Sequence, residues 1–456
     1  MRKADPALTP DALVSTLIQL GADPANDHFI IAYSGGVDSH VLLHLVASSD
    51  LKFSVVHINH GISANADAWQ QHCQQVCDAL AVPLLIESVS VDHDQGSLEA
   101  AARRARYQCM AQHVSTEKHV LLTAHHQDDQ AETLLMRLLR GSGVHGWAGM
   151  RPARLFASGS LLRPLLGFSR QQLLDYANAA DLRWIEDESN VDSAHDRNYL
   201  RHEIMPLLEK RWPQASSRLA LAAADALEAA GLLDGLAYAD LGRCKNSEGE
   251  IEVGRLHELE RPRQALVVRL WLRERGFPMP TRAKLDEILE LTQGQSQTAK
   301  ALCRWTNTEV WRYHDRLALR AAVSLPQGEW QQSWSPEGVT DLPDLGLELV
   351  AETACDEGLA ESAISGKPLT LRLREGGERA TLPGRDHRHA LKKLYQEAAV
   401  PPWLRDRLPL IYAGDELAAV AGLWVFEPFA CKTGDKGIRI QVRETNKTGV
   451  WSNAVV

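Results

Sequence analysis

Between residues 27 and 215 the chain repeats one alternation: a short apolar run, a polar turn, then a segment of helical period. The runs are FIIAYSGG, FSVVHINH, PLLIESVSV and HVLLTAHH. Strands separated by helices are too far apart in sequence for hairpins and pair in parallel, each helix crossing a face of the sheet. The expected fold is therefore α/β: an N-terminal parallel sheet with flanking helices, Rossmann-like, whose ligands sit outside the carboxyl ends of the strands.

The alternation then stops. Residues 216–312 shift to Ala, Leu and Glu in SRLALAAADALEAAGLLDGLAYADL, RPRQALVVRLWLRERG and TRAKLDEILELTQG, which read as a helical middle domain. The strand-like LCRWTNTEVWRYHDRLALR follows, and residues 313–365, rich in Pro, Gly, Ser and acidic side chains from about 324 onward, read as a connecting segment with minor strands. Residues 366–440 read as a small α+β C-terminal domain. With 1–215 as the first domain, this division suits 456 residues, for which the prior is roughly three domains.

Lys plus Arg is 49 against 59 Asp plus Glu, a net charge of −10, so no general attraction to polyanions follows. Residues 367–410, however, hold ten Lys/Arg against five Asp/Glu. A polyanion partner would be held there. No run of about 18 apolar residues is present, and the start has no signal-peptide core, so a cytoplasmic protein with no membrane partner is the expectation. The seven cysteines are scattered without a CxxC, which argues against a disulfide framework and against a zinc or iron–sulfur site; Cys73 and Cys77 share a helix face by chance spacing.

The sharpest motif is Ser34-Gly35-Gly36-Val37-Asp38-Ser39, between the strand FIIAY and the helical run HVLLHLVA. Two glycines permit a tight turn, and amides and hydroxyls at a helix N-terminus can surround a phosphate. No Lys follows the glycines, so this is not the Walker-type loop. Asp38 would repel a triphosphate unless a cation intervenes, and Mg²⁺ removes that conflict.

SGGVDS resembles the PP-loop of the ATP pyrophosphatase superfamily, which cleaves ATP between the α and β phosphates. Further motifs follow in order: His57-Ile58-Asn59-His60, Glu99 through Arg103, Arg104, Arg106 and Tyr107, then Thr123-Ala124-His125-His126-Gln127-Asp128-Asp129-Gln130-Ala131-Glu132, RLLRGSGVHGWAGM, and WIEDESNVDSAHDRNYLRHEIMPLL. With LREGGERA and LKKLYQEAAVPPWLRDRLPLIYAGDELAAV near the end, the set is similar to the tRNA(Ile)-lysidine synthetase family over nearly the whole chain. One departure is Ile62-Ser63, where the family has Leu-Arg.

The resemblance implies an enzyme that adenylates the C2 carbonyl oxygen of the wobble cytidine in a CAU-anticodon isoleucine tRNA, releasing pyrophosphate. The amine of L-lysine then displaces AMP. ATP and Mg²⁺ would be required. It implies ATP binding by Ser34, Gly35, Gly36, Val37, Asp38 and Ser39, with Asp38 holding the metal. The catalytic set would be Asp38, Arg103, Arg106, His125 and Asp129. Arg103 and Arg106 lie three apart on one helix face, and Glu99 is placed to pair with Arg103. His125 would hold the α-phosphate or act as acid–base, while His126 better fits a helix cap. Asp129, and secondarily Glu132, would meet the lysine. Asp187, Asn190, Arg197, Asn198 and Arg201 read equally well as a solvated, ion-paired helix start. The tRNA contacts would come from Arg372, Arg374, Arg379, Arg385, Arg388, Lys392 and Lys393, near Tyr395 and Trp403.

Three alternatives have distinct signatures. A cytidine thiolase of the same superfamily carries the CxxC pairs missing here. A PP-loop amidating synthetase usually brings a glutaminase domain, and would leave the basic stretch unexplained. A degenerate binding module would not need SGGVDS, His125 and Asp129 intact. Oligomeric state is not legible in the sequence.

Overall fold

The computed structural model of the chain describes residues 7–59, 61, 65–89, 98–186, 196–293, 301–326, 328–445 and 450–451. Ile62, Ser63, Asp187 and Asn190, and the side chain of Glu99, lie outside the described residues. Two units are present, 1–233 and 234–456.

The first unit is built on a six-stranded sheet of β1 (His28–Ala32), β2 (Phe53–Asn59), β3 (Leu84–Ser88), β4 (His119–Leu122), β5 (Ala153–Phe156) and β6 (Gly159–Leu162). Its order is β3-β2-β1-β4-β6-β5, parallel throughout except for the β5–β6 hairpin at one edge. Phe29, Ile30 and Ile31 in β1 and Leu121 and Leu122 in β4 are all buried, as strands covered on both faces require. The helices are α1 (Pro10–Gln19), α2 (Val37–Ala47), α3 (Ala66–Ala79), α4 (Leu98–His113), α5 (Gln127–Leu139), α6 (Val144–Trp147) and α7 (Arg170–Ala179). Leu13, Leu17, Val41, Leu42, Leu45, Cys73, Cys77 and Leu173 form one core cluster with β1 and β4. Cys109, Met110 and Val114 join Ile30, Val56 and Leu121 in another. Cys73 and Cys77 are thus packing residues on the buried face of α3.

The strand order reverses between β1 and β4. In their register Ile31 lies opposite Leu122, so the chain leaving β1 at Ser34 and the chain leaving β4 at His125 emerge side by side. This is the switch point where open parallel sheets hold ligands.

In the second unit, helices Arg261–Glu274 and Arg282–Leu291 share a core with strands Ala301–Trp305, Thr308–Tyr313 and Arg316–Ala321, centred on Val267, Trp271, Ile288, Val310 and Leu317. The remainder forms two five-stranded sheets around one large core. Reading 313–365 as a connection is corrected here. Arg316–Ala321 falls in the stretch read as strand-like, and the rest of the segment holds more than minor strands: Gly338–Leu342 and the nine-residue strand Leu347–Cys355, which pairs along its whole length with Lys436–Glu444. Gly346, with φ +61, ends the short turn Pro343–Leu345, while Leu345, Leu347 and Leu349 are buried.

Candidate active site

The turn after β1 is locked by serines. Ser39 Oγ donates to the Gly36 carbonyl at 2.9 Å and accepts from the Ser34 amide at 3.2 Å, and the Ser34 and Ser39 hydroxyls lie 3.1 Å apart. Gly36 caps α2 without a side-chain bond to its first amides, leaving those donors for an anion. Gly35 has φ +86, and a Cβ there would lie 2.7 Å from Ile185 Cδ1 and 3.0 Å from Cys73 Sγ. Its carbonyl accepts from the Ile185 amide at 3.0 Å. Gly35→Ala is expected to cost about 1–2 kcal/mol of folding stability from the left-handed backbone alone, together with a raised KM for ATP. Urea unfolding and ATP titration check both; a variant with unchanged stability and KM would show the turn relaxes freely.

Asp38, in the first turn of α2, has one buried carboxylate oxygen, Oδ1, without a hydrogen-bond partner among the described residues. Its Oδ2 lies 3.7 Å from His126 Nε2. An unpaired buried carboxylate oxygen beside a phosphate-shaped turn suits a hard cation that prefers oxygen ligands, so the residues present fit Mg²⁺.

His126 caps α5: its Nδ1 faces the Asp129 amide at 3.4 Å, and Asp129 Oδ2 accepts from the His126 amide at 3.1 Å. Burial alone would lower the His126 pKa, but Asp129, Asp128 and Asp38 around the ring raise it to about 10. An imidazolium has no acceptor nitrogen, so the 3.4 Å cap contact to the Asp129 amide belongs to the neutral ring. Asp128 does not cap its own helix; it accepts from the Arg170 amide at 2.8 Å, at the start of α7.

His125 is the opposite case. Burial, with Arg163, Arg103 and Arg197 nearby, outweighs Asp129 and lowers its pKa to about 3. Its Nδ1 lies 2.9 Å from Thr123 Oγ1. When Thr123 donates that bond, Nε2 carries the remaining proton and the ring is a neutral donor.

These groups line one cavity of about 770 Å³: Ser34, Gly36, Val37, Asp38, Ser39, His57, Arg103, Arg106, Tyr107, His125, Asp129, Arg170, Trp184, Glu186 and Arg201 are among its walls. That volume is within the usual range for small-molecule sites. All five residues of the expected catalytic set are there. Arg103 stacks over Tyr107 at 5.1 Å, and Arg104, on the same helix, is absent from the lining.

Glu132 is corrected. It is buried and does not line the cavity, and its oxygens accept from Arg201 Nε at 2.7 Å and Arg197 Nε at 3.1 Å. A second Arg201 nitrogen donates to Asp129 Oδ1 at 2.8 Å. Burial would raise the Asp129 pKa, but His126, Arg197, His125 and Arg201 hold it at about 2. Burial works against the charge on Arg201 too, and Glu132 and Asp129 overcome it. Arg197 and Arg201, for which a solvated, ion-paired helix start was an equally fair reading, thus form a half-buried network with Asp129 and Glu132. Their i,i+4 spacing opposite carboxylates at i,i+3 was the available signal.

The strand–turn–helix at the switch point and the cavity around it define a nucleotide-binding α/β domain, and residues 11–208 match the model of the PP-loop domain. Residues 252–318 match the TilS substrate binding domain and 369–442 the TilS substrate C-terminal domain. The chain is 40% identical to the tRNA(Ile)-lysidine synthase of Coxiella burnetii over 441 residues, covering 95% of this chain and 97% of that one. It is 42% identical to that of Alkalilimnicola ehrlichii, covering 94% and 96%. Among solved structures, a U34-tRNA thiolase from Methanococcus maripaludis aligns at 16% identity and TM-score 0.38 over 48% of this chain and 78% of that one. The chain belongs to the tRNA(Ile)-lysidine synthase family.

The C-terminal cations are partly engaged within the unit. Arg372 lies 4.6 Å over Tyr412, Arg374 pairs with Glu378, Arg385 donates to Glu397 at 3.0 Å, and Arg379 and Arg388 donate to each other's backbone carbonyls. Lys392 and Lys393 are exposed. Tyr395 and Trp403, near these cations in sequence, are buried in the core: Leu391, Leu394 and Tyr395 form the inner face of Leu391–Glu397. No helix among the described residues is long and apolar enough to cross a membrane.

Proposed function

We propose that the chain joins L-lysine to C2 of the wobble cytidine in a CAU-anticodon isoleucine tRNA, using ATP and releasing pyrophosphate and AMP. The product, lysidine, changes codon reading from AUG to AUA. The observation that carries this reading is the single cavity in which the serine-locked turn, a neutral half-buried histidine and two arginines of α4 face one another.

The α2 amides and Ser34 and Ser39 bind the triphosphate. Asp38 would hold Mg²⁺, which supplies charge neutralisation when bound. Arg103 and Arg106 offset the charge that develops as pyrophosphate departs. His125, uncharged, donates from Nε2 to the α-phosphate without repelling the arginines beside it. Adenylation of the cytosine oxygen makes C2 electrophilic, and the lysine amine then attacks it. Asp129 is the carboxylate assigned to the lysine; Glu132 is assigned to holding Arg197 and Arg201. The cytidine must leave its stack to enter the cavity.

Labelled lysine, ATP and Mg²⁺ with a CAU isoleucine transcript, beside methionine tRNA and a C-to-U anticodon variant, test the reaction. Incorporation confined to the isoleucine transcript, with equimolar AMP, is expected; ATP cleavage without incorporation would point to a different nucleophile. The basic stretch is assigned to tRNA. Reversing the charge of Lys392 and Lys393 together is expected to weaken tRNA binding and reduce the salt slope by about one to two. Unchanged affinity at low salt would move the contact elsewhere.

A further inference from the structure

Away from the nucleotide cavity, three side chains converge between β3, an edge strand of the sheet, and the last turns of α4: Glu87, Cys109 and His113. Cys109 and His113 are four apart and share a helix face. Glu87 reaches them from the strand. One ligand atom of each lies within 4.8 Å of the other two.

We infer that Glu87, Cys109 and His113 form a binding site for one divalent transition-metal ion of the zinc class. The donor set is one thiolate, one imidazole and one carboxylate, with a fourth position open to water, which is a zinc-type set and unlike the all-oxygen shells of Mg²⁺ and Ca²⁺. His113 Nε2 lies 3.1 Å from Glu87 Oε1, yet this buried nitrogen makes no hydrogen bond among the described residues. Metal–ligand bonds near 2.0–2.1 Å at a tetrahedral angle put the two ligand atoms roughly 3.3 Å apart. The pair therefore has the separation of two ligands on a common ion without the alignment of a donor and acceptor. The site is reachable, since the His113 and Glu87 side chains are 19% and 39% exposed, while Cys109 forms its floor.

Burial, and then Glu87, raises the Cys109 thiol above its ordinary value, so the thiol is protonated without an ion. Binding would form an S–metal bond and release that proton to solvent. The ion would tie the end of α4 to β3, one turn beyond Arg106, on the helix that carries two cavity arginines.

The test is titration of the metal-free full-length chain with Co²⁺ as a spectroscopic probe, followed by competition with Zn²⁺. One equivalent is expected, with a thiolate-to-cobalt charge-transfer band and the strong visible bands of tetrahedral Co²⁺, all displaced by Zn²⁺. Cys109→Ser should remove the charge-transfer band, while Cys431→Ser retains it. His113→Gln and Glu87→Gln should each weaken binding by on the order of 10- to 100-fold, at least the effect of losing an outer-shell partner. Absence of the band, or a band that survives Cys109→Ser, would overturn the assignment. Should Cys109→Ser misfold by circular dichroism, the half-exposed Glu87→Gln decides: weakened binding upholds the site and wild-type affinity removes it.

Discussion

Asp38→Ala is expected to lower the rate of AMP and pyrophosphate formation by about 10²- to 10³-fold, the usual scale for losing one group that stabilises transition-state charge. Asp38 stands in the first turn of α2, one residue after the glycines that shape the phosphate turn, and its Oδ1 is buried with no hydrogen-bond partner among the described residues. Its Oδ2 faces His126 at 3.7 Å, so Oδ1 is the oxygen that would ligate a cation placed between Asp38 and the triphosphate. The variant should bind ATP at high Mg²⁺ and keep the wild-type far-ultraviolet circular dichroism, while its apparent Mg²⁺ requirement rises. Asp38→Asn, which retains shape and one oxygen, should fall between the two. Full turnover in Asp38→Ala at ordinary Mg²⁺ would remove the residue from the metal role.

Arg201→Ala should produce the largest loss of stability, about 3–5 kcal/mol, because it strands two carboxylates inside the protein. Glu132 accepts from two Arg201 nitrogens, at 2.7 and 2.9 Å, and Asp129 accepts at 2.8 Å. Arg197 alone cannot balance both. The dependence on pH follows from the sign of the shifts. In the native protein the Asp129 pKa is depressed to about 2 from 3.8, so its contribution is present above 3.8 and is lost as pH falls through 2. In the variant Asp129 loses one of the charges that depress its pKa, so less of that contribution is present to be lost on acidification. The stability gap between the two proteins should therefore narrow as pH falls from 3.8 through about 2 in urea unfolding. A gap that stays constant would mean the carboxylates had found other partners. The double variant Arg201→Ala, Glu132→Gln should recover part of the loss, as expected for residues in one network.

The sheet and its phosphate turn were legible because their signals are local. An apolar run, two glycines and a helical run occupy fewer than twenty consecutive residues, and the strand-to-helix alternation is set by periodicity alone. His126 as a cap was legible for the same reason, its partner Asp129 being three residues away. What escaped depends on residues far apart in the chain. Arg197 and Arg201 reach back 65 and 69 residues to Glu132, and a helical spacing of basic residues looks the same whether it faces water or a buried carboxylate. Beyond the strand-like stretch ending at residue 320, the segment to residue 365 was misread because turns are dense there and the long strand Leu347–Cys355 finds its partner near residue 440. Tyr395 and Trp403 lie among basic residues in sequence yet are buried, because the cations and aromatics occupy different faces of the same short helices. Cys109 has no cysteine partner at metal-binding spacing; the companions are a histidine on its own helix and a glutamate from a strand.

The adjacency of β1 and β4 also makes the nucleotide a non-covalent staple. ATP held by residues 34–39 on one side and by His125 on the other would join two stretches about 90 positions apart in the chain, at the seam where the strand order reverses. A ligand that binds only the folded state adds about 2.7 kcal/mol at a hundredfold excess over its Kd. Here that energy would fall on the central strand pair, so the occupied enzyme resists unfolding at its middle first, while the β5–β6 hairpin and the β3 edge retain the freedom they have without nucleotide.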